Sequence, residues 1–389
     1  MPKQTLSLQR NEPVSGSTGE HEKPIRPASE NERLILDLLR RHRGASRAEL
    51  ARLTGLTNQT LSRLIEELGS MGLVKLGEAQ IKGRGQPSHP VLICPEGAYT
   101  IGLSIMTDAL SLCLMDFDGK IIRSQSLHFP SNEVGRVLAM IHRFIDESLD
   151  AFTIDRTRLV GVGVAITGFF IGTGLQVNPP APLDNWALTD VKEMLEAHLN
   201  LPVWLDNDGS VAAVGEAISG VGIDFSSFAY LFFSAGFGGG LILDRKLHRG
   251  THGNAGEFNA ILPPDYTAPN LNTLLEDLRA DGMTFADIAE MLDVFDVRWA
   301  GVNAWLDKVI PSLNLVIGAI SAVTDVETIV LGGRLPKSLG EILIERLSFH
   351  NTQRRGHYRP VPRLLTSGAR EDAALIGAAS LPLKALYYG

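Results

Sequence analysis

Cysteine is almost missing from this 389-residue chain, which contains only Cys94 and Cys113. Two thiols cannot build a disulfide framework or a cysteine-rich zinc site. Both stand in apolar surroundings, where buried free thiols are expected. No apolar run approaches the ~18–20 residues that a bilayer span requires, so no membrane partner is expected. The amino-terminal stretch is rich in Pro, Ser, Gly, Glu and Lys and has no apolar h-region. A flexible tail over 1–28, rather than a secretory leader, and a cytoplasmic location follow as expectations.

Charge is present but unevenly placed. The net charge is −8, yet segment 31–92 holds ten basic and six acidic side chains, a net of +4, leaving −12 on residues 93–389. A basic module on an acidic body is the asymmetry expected where one end of a protein meets nucleic acid. The length suggests two or three domains.

Residues 29–95 read as a separate small domain. Ser29 with Glu32 forms a capping-box pattern, opening a helix with Leu34, Ile35, Leu38 and Leu39 on one face. Ser46 with Glu49 repeats the pattern for a short second helix. Gly55 makes a turn, and Thr57 caps a third helix striped by Leu61, Leu64, Ile65 and Leu68. This is helix-turn-helix spacing, with Thr57, Asn58, Gln59, Thr60, Ser62 and Arg63 at the exposed start of the third helix. Asn and Gln pair bidentately with adenine, and Arg with guanine. A three-helix subdomain with a polar surface is the plain alternative. The following hairpin, tipped by Lys82-Gly83-Arg84-Gly85-Gln86, favours the winged form, because an Arg flanked by glycines can enter a narrow minor groove. A solvated hairpin tip is its plain alternative.

Beyond Gly97 the pattern changes. Strands are expected at Tyr99–Ile105, Ala109–Met115, Ile121–Leu127 and Leu159–Ile166, with an amphipathic helix before the last. The order recurs with a strand at 228–233, a glycine loop at 234–240, a strand at 241–243, helices at about 271–280, 284–292 and 297–323, and a strand at Thr328–Leu331. A repeated βββαβα plan implies two α/β lobes facing a cleft. Ser234-Ala235-Gly236-Phe237-Gly238-Gly239-Gly240 has the outline of a phosphate cradle, but Ala235 stands where a gripping hydroxyl is needed.

Five stretches carry a resemblance: VGVGVAITG at 160–168, DNDGSVAAVGE at 206–216, SAGFGGGLI at 234–242, RGTHGNAGEF at 249–258 and TIVLGGRL at 328–335. In this order, behind a GRGQP wing, they resemble the repressor branch of the ROK family (repressors, open reading frames and sugar kinases). The resemblance implies a winged helix-turn-helix at 29–95 and a two-lobed, actin-like sugar-binding body at 96–389. One lobe would span about 96–222 with a terminal helix at about 370–386, the other about 223–369. It also implies sugar contacts from Asn207, Asp208, Glu257 and Glu276. Asp208 matches the residue that serves family kinases as general base.

The same resemblance exposes departures. The family's histidine two residues beyond its Gly-Glu-x pattern falls on Ala260, and PPDYTAPNLNTLLEDL lacks the zinc-binding cysteines, so no zinc is expected. The Asp-x-Gly-Gly-Thr of kinases corresponds to Ser104-Ile105-Met106-Thr107-Asp108, with Met106 expected to occupy phosphate space. With Ala235 as well, ATP and enzymatic activity are not expected, since phosphoryl transfer depends on positioning and charge neutralisation. Plain readings stay open: Asp208 as a helix N-cap, Glu276 as a surface helix charge, and His248 with His252 as loop residues rather than metal ligands.

The expectation is a sugar-responsive regulator of transcription. A homo-oligomer, dimer or tetramer, would hold a double-stranded operator and take a sugar or sugar derivative as effector. A sugar kinase fused to a DNA-binding head, and a regulator whose body binds a protein, are the alternatives. Arg84→Ala should weaken binding to duplex DNA and reduce its salt slope by about one. Titration at two salt concentrations measures both, and unchanged affinity refutes the wing role.

Overall fold

Local capping builds the amino-terminal head. A computed structural model describes residues 25–79, 89–128, 133–172, 176–369 and 372–388. Helix α1 (Glu30–His42) starts where the Glu32 carboxylate accepts from the Ser29 backbone N–H and hydroxyl at 2.7 and 2.8 Å. Strand β1 (Ala45–Ser46) leads into α2 (Arg47–Thr54), whose cap Ser46 accepts from Glu49 N–H. Gly55, at φ +70°, makes the turn into α3 (Asn58–Ser70), where the Thr57 hydroxyl accepts from Thr60 N–H. Strands β2 (Val74–Leu76) and β3 (Pro90–Ile93) then pair antiparallel, with β1 on the far edge of β3. The wing tip carrying Lys82, Arg84 and Gln86 lies outside the described residues.

The first lobe contains β4 (Tyr99–Ile105), β5 (Ala109–Asp116), β6 (Ile121–His128), α4 (Val134–Phe152) and β7 (Leu159–Ile166). A small hairpin of β8 (Phe169–Ile171) and β9 (Gln176–Asn178) follows, then α5 (Val191–Leu199), β10 (Val203–Asn207) and α6 (Asp208–Ser219). The second lobe contains β11 (Phe228–Phe233), β12 (Phe237–Leu243), β13 (Lys246–Leu247), α7 (Leu271–Ala280), α8 (Ile288–Asp293) and α9 (Ala300–Thr324). It closes with β14 (Thr328–Gly333), α10 (Lys337–Arg346) and β15 (Arg363–Thr366). The sheets run β10-β7-β4-β5-β6 and β13-β12-β11-β14-β15, the same connectivity used twice.

The final helix, α11 (Ala373–Leu386), returns to the first lobe and packs on β4, β7 and α6. Glycines make this approach possible. A Cβ at Gly215 would lie 1.9 Å from the Ala373 carbonyl oxygen, one at Gly377 1.9 Å from that of Val211, and one at Gly163 1.7 Å from that of Ala378. Helices α6 and α11 therefore touch backbone to backbone. The carboxyl end of α11 in turn holds the head. Leu36 and Leu39 of α1 share one apolar core with Phe117, Leu383, Tyr387 and Tyr388. Arg33 donates to the Ala385 carbonyl at 2.8 Å, and Arg158 donates to that of Met71 at 2.7 Å.

Three expectations change. The glycine run is a loop only at 234–236; Gly238, Gly239 and Gly240 are strand residues paired with Phe232, Leu231 and Tyr230. They are small because α6 packs on that strand, a Cβ at Gly240 falling 2.7 Å from that of Ala213. Gly332 and Gly333 likewise belong to β14, opposite Phe232 and Phe233. Helix α9 is long and apolar enough by length and composition to cross a membrane, although Asp307 and Lys308 interrupt its apolar run. Its Val302, Trp305, Val309, Leu313 and Val316 fill the second lobe's core.

Gly377→Ala should destabilise the protein by about 2–3 kcal/mol or more, the scale of core overpacking. Urea unfolding measures this, and an unchanged midpoint would contradict the close helix crossing.

Candidate functional site

Strands β7 and β10 lie side by side and parallel, with Ile166 opposite Asn207. Their carboxyl ends therefore deliver Thr167-Gly168 and Asn207-Asp208 to the same point in the cleft, where ligands of open α/β sheets bind. The side chain of Asn207, not that of Asp208, caps α6, accepting from Gly209 N–H at 2.8 Å and Ser210 N–H at 3.3 Å. Its amide nitrogen donates to the Gly168 carbonyl at 2.8 Å and reaches Glu257 Oε1 at 3.5 Å. Asp208 is thus spared most of the capping duty. Its Oδ2 accepts from the Thr167 hydroxyl at 2.6 Å and its Oδ1 from Gly209 N–H at 2.9 Å.

Glu257 comes from the second lobe. Gly256 precedes it at φ +109°, with its Cβ position only 2.3 Å from the Gly239 carbonyl oxygen. The loop can therefore lie flat on β12 and bring the carboxylate to Asn207. Two contacts between lobes fix the loop. Arg249 pairs with the buried Asp206 at 2.5 Å, and Asn254 exchanges two 2.8 Å hydrogen bonds with the backbone of Phe170.

Asp208 and Glu257 border a cavity of about 370 Å3 together with Asn178, Asn259 and Asn270, while Phe169 and Phe237 supply apolar walls. Carboxylate and amide groups over aromatic faces suit a polyhydroxylated ligand, whose hydroxyls donate to carboxylates and whose C–H faces pack on rings. Burial pushes the Asp208 carboxyl up to about 6; the Thr167 hydroxyl and Gly209 N–H oppose the shift, and the charges of Glu257 and Asp372 add to it. Burial raises Glu257 as well.

Glu276 is not part of this cavity. It is exposed on α7, whose inward face is Leu271, Leu274, Leu275 and Leu278. Helical phase decides the matter, because the residue falls between the core positions. Sequence reasoning also passed over Arg249 and Asn254, both inside the RGTHGNAGEF stretch, and over Asn270, which caps α7 at the cavity edge.

A neighbouring cavity of about 370 Å3 is bordered by Thr107, Asp108, Ala235, Gly236 and Asn272. Met106 is buried and lines neither cavity, so it does not fill the cleft as expected. Instead, Asp108 pairs with Arg334 of the second lobe at 2.5 Å. The Ser104 hydroxyl is buried without a hydrogen-bond partner among the described residues.

In the head, Asn58, Gln59 and Arg63 are exposed along the outer side of α3, with Thr60 and Ser62 half-buried beside them. Thr57 is exposed and serves as the cap, and Arg63 pairs with Glu67 one turn on at 2.6 Å.

Residues 29–75 match the family model described as winged helix-turn-helix DNA-binding, and residues 100–269 match that of the ROK family. The chain carries a ROK-family domain behind a winged helix-turn-helix. The chain is 28% identical to an uncharacterised protein, y4fQ, of Sinorhizobium fredii, over 92% of both chains. It is 31% identical to the xylose repressor of Bacillus spizizenii, over 59% of each chain. Among solved structures it is similar to a ROK family transcriptional regulator, a homologue of the E. coli MLC protein. That similarity has a TM-score of 0.66 at 18% identity and covers 92% of this chain and 96% of that one. The two chains thus share an overall fold.

The Asp208 carboxyl titrates near 6 in the folded protein against an ordinary value of 3.8. The folded state therefore binds this proton more tightly than the unfolded chain. The residue costs stability progressively as pH rises from about 4 to 6, reaching roughly 3 kcal/mol above that range. Asp208→Asn should melt higher than the natural protein at pH 7.5, with the gap closing as pH falls from 6 to 4. A gap independent of pH would contradict the buried-carboxylate assignment.

Proposed function

We propose that this protein is a sugar-responsive transcriptional repressor whose effector is a monosaccharide or sugar derivative held in the cleft. The observation that carries this reading is the path of two helices. Helix α6 starts at Asp208 in the cleft and is locked backbone to backbone onto α11, whose far end anchors the DNA-binding head. A ligand that draws Asp208 and Glu257 together brings the lobes together and shifts this helix pair. A tenfold change in operator affinity needs only about 1.4 kcal/mol of coupling. A homo-oligomer in the cytoplasm presents two heads to two half-sites, with α3 reading bases in the major groove and the wing residues Lys82, Arg84 and Gln86 entering the adjacent minor groove. The similarity to a xylose repressor supports a pentose or related sugar as the first candidate.

The proposal assigns the protein no catalysis, metal or nucleotide. Magnesium-bound ATP needs an acidic residue and close backbone at the first phosphate loop. Here position 104 offers a buried serine, and Asp108 is engaged by Arg334. Ala235 adds no hydroxyl. A kinase reading rests on one observation, the elevated Asp208 pKa of about 6, which suits a general base.

Titrating operator DNA against the protein with a panel of sugars and sugar acids tests the proposal. At least one sugar should change DNA affinity tenfold or more, and Glu257→Gln should blunt that change by tenfold or more. ATP-dependent phosphorylation of the same sugar at enzymatic rates would overturn the reading in favour of a kinase.

A further inference from the structure

Five cationic side chains meet where the head touches the body. Arg40, Arg41 and Arg43 leave the end of α1, Arg245 stands in the β12–β13 turn, and Lys384 lies in the last turn of α11. They surround a cavity of about 540 Å3 in which Asp37 supplies the acidic counterpart. Asp37 acts on Lys384 there, and it is one carboxylate against five cations in the lining of this cavity. Arg40 lies 5.1 Å from the centre of the Tyr388 ring, which orients its guanidinium without cancelling its charge.

Helix dipoles account for part of this cluster. Cations at the carboxyl ends of α1 and α11 complement the exposed carbonyls there. That explanation does not reach Arg245, which comes from a hairpin turn at φ +65°. Nor does it suit a crowded site, since burial and then the neighbouring Arg40 charge lower the Lys384 pKa. Arg41, Arg43 and Arg245 are exposed and Arg40 and Lys384 half-buried, so the like-charge cost falls mainly on the latter two, and a bound anion removes it. Guanidinium forks match phosphate oxygens in geometry as well as charge. The remaining wall, with Ile218, Phe225 and Ile242, is apolar and suits a carbon skeleton between charged ends.

We propose that this cavity is a second effector site, for a small organic bisphosphate that ties α1 of the head to the body. The site lies at the opposite end of α6 from the cleft, about 15 Å along the helix from Asp208 to Ile218. Its occupant and the cleft ligand thus act on the same strut from its two ends. The inference does not depend on the identity of the cleft ligand, nor on the cleft binding a sugar at all.

Calorimetric titration of the full chain with fructose 1,6-bisphosphate, near physiological salt and without DNA, tests it. One site per chain is expected, at least tenfold tighter than for inorganic phosphate or sulfate. Arg245→Ala and Lys384→Met should each weaken it tenfold or more, with melting curves confirming that both variants fold. Absent binding, equal affinity for sulfate, or undiminished affinity in the folded variants would overturn the proposal. So would competition by a neutral sugar, which places the ligand in the cleft. If the bisphosphate fails to bind while Arg245→Ala lowers affinity for DNA alone, the cations serve the DNA backbone and the proposal falls.

Discussion

The architecture depends on the glycine-mediated contact between α6 and α11. Two helices that meet through ordinary side chains stand 8–10 Å apart and can slide by a few tenths of an ångström as rotamers adjust. Here Gly215 and Gly377 remove the intervening side chains, so each backbone rests on the other. Gly163 lets α11 settle equally closely on β7. The pair behaves as one rigid piece. One end carries the cleft carboxylate Asp208, and the other carries the apolar seat of the head, formed by Tyr387, Tyr388 and Leu383.

Around this piece polar contacts join the lobes beside a shared apolar core, in which Ala165, Val211 and Ala378 meet Phe228, Tyr230 and Val330. Arg249 reaches across to Asp206, Arg334 to Asp108, and Asn254 to the Phe170 backbone. Such pairs contribute modest net energy, but losing one partner leaves a buried charge uncompensated. They therefore select particular lobe arrangements more than they strengthen the fold. In the proposed reading, a ligand that closes the lobes acts on the head through this closely packed helix pair.

The phosphate side of the cleft shows how a duplicated sugar-kinase-like frame accommodates different residues. The glycines of β12 serve close packing of a helix on a strand, and Tyr230 occupies the space beside Gly332, accepting a hydrogen bond from Gly333 N–H at 2.8 Å. Charge is instead concentrated at two other places. Acceptors gather around Asp208 and Glu257, and cations gather at the junction of head and body. The molecule as a whole is acidic, so the cationic junction is a local concentration against the net charge.

Much of this was legible in the chain. Caps at Ser29, Ser46 and Thr57 and the 3.6-residue stripes of α1 and α3 depend on neighbours within one or two turns, so the head could be read locally. The first-lobe strands and the Asn207-Asp208 and Gly256-Glu257 pairs were equally visible, because period-two apolar runs and short motifs are local features. Other positions were settled by what each residue packs against. Glu276 belongs to a recognisable stretch, yet the phase of α7 turns it to solvent. Gly238–Gly240 look like a phosphate loop until α6 is laid over them. Asp108 and Arg334 are 226 residues apart in sequence, and the cationic junction draws on three separated segments. Sequence determines local backbone preference and side-chain chemistry; only the tertiary structure decides which distant groups share a cavity, because that depends on how closely backbones approach.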